Sequence, residues 1–238
     1  MSTPALRFDQ VVKNFDKKQV LRNFSLEVVA GEFFGLVGMN GAGKTTLLKC
    51  LFDFCAIESG EIEIFGKSSR HPSARAPVAF LPERFIPPYY LTGRDFLKYM
   101  LKLQALPYDE SSALACMTEL DLDSQALVKP VRLYSKGMTQ KLGLTAAFLA
   151  NKALYVLDEP MSGLDPKARA LLKQKLQQLR QTHSTLFFSS HALADVEEMC
   201  DRMAILHDGQ LRFVGTPNQC IAHYQAKNLE QAYLQCIA

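Results

Sequence analysis

Apolar residues follow two rhythms along this chain. Compact runs at residues 33–37, 78–81, 153–157 and 185–189 are dominated by Val, Leu, Phe, Tyr and Ala. Runs this short suit strands that a parallel sheet buries on both faces. Residues 6–29 are rich in Val, Leu and Phe with charged interruptions, and read as two short strands joined near residues 16–19. Gly31-Glu32 forms a turn, Gly60 punctuates the chain ahead of a strand at 61–65, and Asp208-Gly209 centres a hairpin over 202–214. Helical spacing governs residues 45–54, 95–106, 109–120 and about 135–150, with Pro107 dividing the middle pair. It returns at 166–180, with Pro166 in the first turn, and at 192–200, 216–223 and 229–237. The helices between 95 and 150 stand between strands, which predicts a helical subdomain inserted into an α/β core. No internal repeat and no low-complexity linker interrupts this plan.

Composition narrows the function classes. The 238 residues are 48% hydrophobic and 21% charged, ordinary values for a folded soluble protein. A net charge of +3 without a clustered basic stripe predicts no nucleic-acid partner. Basic residues between Lys67 and Arg94 are interrupted by Pro and acidic residues, as in a solvated surface loop. The six cysteines form no C-x-x-C pair and have no His at ligand spacing, so they read as idle thiols of a reducing cytosol. The first nine residues lack the apolar core of a signal peptide, and the best apolar run, 144–150, is far too short to cross a bilayer. Any membrane work is therefore expected to pass through a partner.

Chemistry concentrates after the run at 33–37. Gly38-Met39-Asn40-Gly41-Ala42-Gly43-Lys44-Thr45 fits G-x-x-x-x-G-K-[ST] in full, between a predicted strand and a predicted helix. The glycines let successive backbone N–H groups point inward at phosphate oxygens. Lys44 brings a cation to the β and γ phosphates, Thr45 offers a hydroxyl to Mg²⁺, and the helix that follows aims its positive end at the same anion. A second element, Leu154 to Pro160, delivers Asp158 and Glu159 at the end of an apolar strand. Adjacent carboxylates in that position are costly without a cation nearby. Asp158 suits the water shell of Mg²⁺, and Glu159 suits polarising an attacking water.

With these motifs the chain resembles the nucleotide-binding domain of ATP-binding cassette transporters over nearly its whole length. The resemblance implies an α/β P-loop (RecA-like) core with an antiparallel β subdomain and an inserted α-helical subdomain. It implies one domain over 1–238: a core at about 1–85 and 152–215, a helical subdomain at about 90–150, and closing helices at 216–238. The family signature is Leu-Ser-Gly-Gly-Gln. Here Leu133-Tyr134-Ser135-Lys136-Gly137-Met138 keeps Ser135 and Gly137, but puts Lys136 for the first Gly and Met138 for the Gln.

By the same resemblance, ATP is bound by Phe15 on adenine, by Gly38 through Thr45 with Thr46, and by Ser135, Gly137 and Asp165, the signature residues coming from a second copy in a head-to-tail pair. His191 matches the switch histidine, and Glu83 stands where the family usually has a Gln that meets Mg²⁺. Glu159, His191 and Glu83 form the implied catalytic set, and Thr45, Asp158 and Glu83 the implied metal ligands. Pro87-Pro88-Tyr89-Tyr90 lies where the family docks a membrane permease subunit. His71, His183, His207 and His223 read as surface or structural residues. A soluble ATPase of translation or chromosome type fits less well, since one phosphate loop and no sustained heptads are present. The signature variant, Glu83 and the closing helix look like bacterial exporter cassettes of the drug, antibiotic or lipid-linked kind.

Overall fold

The computed structural model describes residues 3–16 and 18–238. In chain order its strands and helices begin with β1 (Leu6–Phe15), β2 (Lys18–Val28), β3 (Phe33–Val37), α1 (Lys44–Leu51), β4 (Ser59–Ile64) and β5 (Lys67–Ser68). Then come β6 (Val78–Leu81), α2 (Gly93–Leu103), α3 (Glu110–Glu119), α4 (Lys136–Leu149), β7 (Leu154–Asp158) and α5 (Pro166–Gln181). The last are β8 (Thr185–Ser190), α6 (Leu193–Met199), β9 (Arg202–His207), β10 (Gln210–Gly215), α7 (Pro217–His223) and α8 (Leu229–Ile237). Packing divides the chain into two units, Met1–Pro77 with His183–Ala238, and Val78–Thr182.

In the first unit, β2, β1, β4 and β5 form an antiparallel sheet in that order. Leu6, Phe8 and Val11 turn inward, while Arg7 turns outward to Asp9 at 2.7 Å and Glu63 at 3.3 Å. The two strands expected to be short are 10 and 11 residues long. Register shifts between Phe8 and Val11, and the left-handed backbone of Gln10 and Asn23, break the alternation. The bulges therefore shorten the stretch of each strand that alternates cleanly in the sequence. Gly60 likewise lies inside β4 rather than ahead of it. A Cβ there would stand 2.4 Å from the Asp9 carbonyl, so only glycine lets β4 pass the bulged part of β1.

The first unit also holds β10, β9, β3 and β8 side by side, with β3 parallel to both β8 and β9. All of β3 and all of β8 are buried, as the uninterrupted apolar runs require. Phe8 meets Phe24 edge-on at 5.4 Å, and Phe187 lies 6.5 Å from Phe8 and 5.9 Å from Phe34. These rings join the antiparallel layer to the parallel one.

The second unit pairs β6 with β7 in parallel, Val78 opposite Leu154 and Leu81 opposite Leu157. Its helices enclose a core of Phe96, Leu97, Ala113, Met117, Leu122, Leu127 and Leu142. Thr92, Asp109, Ser135 and Asp165 cap α2, α3, α4 and α5 through their side chains, which fixes where each helix begins. A Cβ on Gly143 would come within 2.7 Å of Leu81 and 2.9 Å of Phe85, so α4 approaches β6 closely only because that position is glycine. The basic segment expected as a solvated loop is more ordered than that. It contains β5, a 3-10 turn at Pro72–Arg75 and β6, with Arg75 bonded to the Ser69 carbonyl and Arg94 paired with Glu110 at 2.8 Å. Among the described residues, no helix is long and apolar enough to cross a membrane.

Candidate functional site

Two segments expected to meet a nucleotide are built in separate units, and each has its own local logic. In the first unit the chain leaves β3 at Val37 and turns through Gly38 to Gly43 into α1. A Cβ on Gly38 would stand 2.6 Å from the Leu206 carbonyl, so the loop starts in a gap that only glycine fits. Gly41 and Gly43 take positive φ of 87° and 113°, and Gly43 enters α1 with no side-chain cap. The first turn of α1 is thus a helix start without a side-chain cap, a geometry that can receive an anion. The Gly209 amide donates to the Ala42 carbonyl at 3.2 Å, and the Arg22 amide to the Gly209 carbonyl at 2.9 Å. The β9–β10 hairpin predicted from Asp208-Gly209 thereby braces the loop, a link that the sequence does not reveal.

Lys44 is buried, and its Nζ donates to the Gly38 carbonyl at 2.5 Å and reaches the Met39 carbonyl at 3.5 Å. The ammonium is therefore held across the mouth of the loop rather than in solvent. Met39, Asn40, Gly41 and Thr45 are exposed, Thr46 is half-buried, and Ala42 is buried. Phe15 closes β1 with its ring 48% exposed, and Lys13 Nζ lies 4.9 Å from the ring centre. Glu58 fixes that lysine at 3.0 Å and also accepts from the Asn14 amide. Burial works to raise the Glu58 carboxyl, but Lys13 and the Asn14 amide outweigh it and hold it below the ordinary range. His191 follows β8 on the surface of the same unit.

In the second unit β7 delivers Asp158, 1% exposed, and Glu159, 7% exposed, at its end. Glu159 adopts φ 50°, a left-handed conformation rare for a non-glycine residue. Gln140 of α4 donates to the Pro160 carbonyl at 3.1 Å and holds the turn after the carboxylates. Ser135 begins α4, its Oγ accepting from the Met138 amide at 3.2 Å. Asp165 begins α5 by accepting from the Ala168 amide at 2.9 Å.

Folding also unites the signature turn with the loop before α5. Lys136 Nζ reaches Ser162 Oγ at 3.3 Å, its stem covers Gly163, and a Cβ on Gly137 would lie 3.1 Å from the Gly163 carbonyl. The lysine that departs from the family pattern is thus accommodated along a neighbouring loop, and Gly137 is kept for close approach. Glu83 is exposed just past β6. It lines a groove of about 630 Å³ with Arg84, Phe85, Ile86, Pro87, Tyr89, Arg132 and Tyr134. Tyr89 and Tyr90 are exposed as expected, Pro87 is buried, and Ile86, passed over in the sequence, is the most exposed at 86%.

A glycine-built loop over a buried lysine at a helix start, with a buried strand ending on paired carboxylates, defines the chain as a P-loop nucleotide-binding protein. More specifically, it belongs to the ABC transporter family, whose sequence model matches residues 21–162. It is 39% identical over 203 residues to an uncharacterised ABC transporter ATP-binding protein of Synechocystis, covering 84% of this chain and 57% of that one. The chain thus spans little more than half the length of that relative. It is 34% identical over 225 residues to the Nod factor export ATP-binding protein I of Burkholderia thailandensis, covering 93% of this chain and 74% of the relative. A solved ATP-binding subunit of an ABC transporter superposes with TM-score 0.88 at 28% identity, over 98% of this chain and 99% of that one. The expected fold class is therefore the observed one.

Proposed function

We propose that this chain binds and hydrolyses Mg-ATP as the nucleotide-binding subunit of a transporter whose membrane part is a separate protein. The observation that carries this reading is the phosphate loop, with Lys44 held against the Gly38 and Met39 carbonyls at the uncapped start of α1. That loop is too tight at Gly38 for any side chain, and it leads into a helix start of the kind that binds anions. The amides of Gly38 to Lys44 bind the phosphates, Lys44 neutralises the β and γ oxygens, and Phe15 stacks on the base. A buried Asp158 carboxylate and the Thr45 hydroxyl suit a hard cation, with Glu83 as a further oxygen ligand. Bound Mg²⁺ would offset charge on the phosphate oxygens. Glu159 orients the attacking water and accepts its proton, and His191 holds the γ-phosphate.

Ser135 and Gly137 are proposed to close the site from a second copy in a head-to-tail pair, and Asp165 to face the same junction. A separate solved structure is a dimeric cassette bound to ADP and Pi, although at 20% identity it supports only the fold. The groove beside Glu83 and the exposed Ile86, Tyr89 and Tyr90 support docking of the membrane subunit near Pro87 to Tyr90. The chain would then sit on the inner face of the membrane, with no nucleic-acid partner. Export is the direction favoured, since a relative alike over 93% of this chain is an export ATP-binding protein. Replacing Tyr89 by Ser should uncouple ATP turnover from transport in the assembled complex while leaving nucleotide binding intact. Undiminished coupling in that variant would remove the docking claim.

A further inference from the structure

Cys50 and Cys55 read as unconnected thiols in the sequence, but folding brings their sulfurs to 3.4 Å. Cys50 is buried on the last turn of α1, and Cys55 is half-buried in the turn that follows. That turn is shaped to return the chain on itself. Asp53 takes a left-handed φ of 59°, and the amides of Phe54 and Cys55 both donate to the Lys49 carbonyl, at 2.8 and 3.4 Å. Both thiols also line one cavity of about 190 Å³, together with Asp53, Gly60, Ile62 and Arg70. A small reagent that reaches one sulfur therefore stands beside the other.

A disulfide needs sulfurs about 2.05 Å apart, so closure asks for an approach of roughly 1.4 Å beyond the observed contact. Cys55 lies outside α1, so a rotation of its side chain with a small shift of the turn can supply this. We propose that Cys50 and Cys55 are a dithiol that closes reversibly into an intramolecular disulfide, in exchange with small-molecule disulfides. Burial, with Cys55 beside it, pushes the Cys50 thiol up to about 12, so Cys50 remains protonated near neutral pH. Cys55 is the attacking group. Its thiolate displaces one half of the small disulfide as a thiolate and forms a mixed disulfide at Cys55. Cys50 then gives its proton to solvent and attacks Cys55 Sγ, releasing the second half as a thiolate. The two thiols lose two protons and two electrons, and the small disulfide takes up both electrons. The closed ring would end the same helix that opens with Lys44 and Thr45.

The other cysteines offer a built-in control. Burial pushes both Cys116 and Cys220 up to about 11, so neither is expected to start the exchange with a small disulfide. The test is to incubate the folded full chain with oxidised glutathione, block remaining thiols by alkylation, and map the products by mass spectrometry. The expected result is loss of two hydrogens, a link confined to Cys50 and Cys55, and reversal by dithiothreitol. Cys50→Ser should instead accumulate a stable glutathione adduct at Cys55. Wild-type chain carrying only glutathione adducts, a link elsewhere such as Cys220 to Cys236, or no reaction short of unfolding would overturn the proposal. The mapping on wild-type chain decides the matter even if the Ser variant fails to fold.

Discussion

Lys44 is buried, and its Nζ donates to the carbonyls of Gly38 and Met39. A phosphate would be a far better partner, because charge-assisted bonds are worth about 1.5–3 kcal/mol each. Lys44→Ala should therefore weaken ATP binding by roughly 10- to 100-fold, measured by titration calorimetry, with the fold retained. Glu159 has a different part. Glu159→Gln should keep nucleotide affinity but slow turnover by about 10² to 10⁴, in single-turnover hydrolysis. The motifs that carry these residues were legible in the sequence because the chemistry proposed for them dictates their spacing. Their supports were less so. Gly209 bracing Ala42, and Lys136 lying along Ser162 and Gly163, join segments distant in the chain, and no local pattern encodes such contacts.

Elements differ in how openly the sequence announces them. β3 and β6 have the expected bounds because an unbroken apolar run has one reading, and α8 also spans its expected residues, capped by Asn228. The strand pair β1 and β2 was obscured by bulges, and β5 is two residues long and carries no pattern. The close approach of α4 to β6 gives a test at this scale. Gly143→Ala forces a methyl into Leu81 and Phe85, and should cost about 1–3 kcal/mol in urea unfolding.

Helix caps also set a pH response. The Ser112 side chain and amide hold the Asp109 carboxyl below its ordinary value at the start of α3. A carboxyl depressed by folding adds stability that is complete above its unfolded value, about 3.9. That stability is lost as pH falls through the lower folded value. Glu58 and Asp121 are depressed too, the latter first by its bond to Lys167. Melting temperature should therefore fall as pH drops below about 4, and Asp109→Asn should flatten part of that fall.

At the scale of the whole molecule, the proposed function assigns the phosphate loop, Asp158 and Glu159 to one nucleotide and the Ser135–Gly137 turn to the nucleotide of a second copy. Family membership was readable because the motifs are dense and ordered along the chain. The cargo was not, because under the proposed function it is chosen by membrane helices of another protein. The central claim is that ATP joins two copies head to tail and that hydrolysis releases them. The most direct measurement is the solution mass of Glu159→Gln by light scattering with Mg-ATP and then with Mg-ADP. The account predicts a particle of twice the 26.6 kDa chain mass in ATP and a single chain in ADP. An unchanged mass in both, with nucleotide bound, would contradict it.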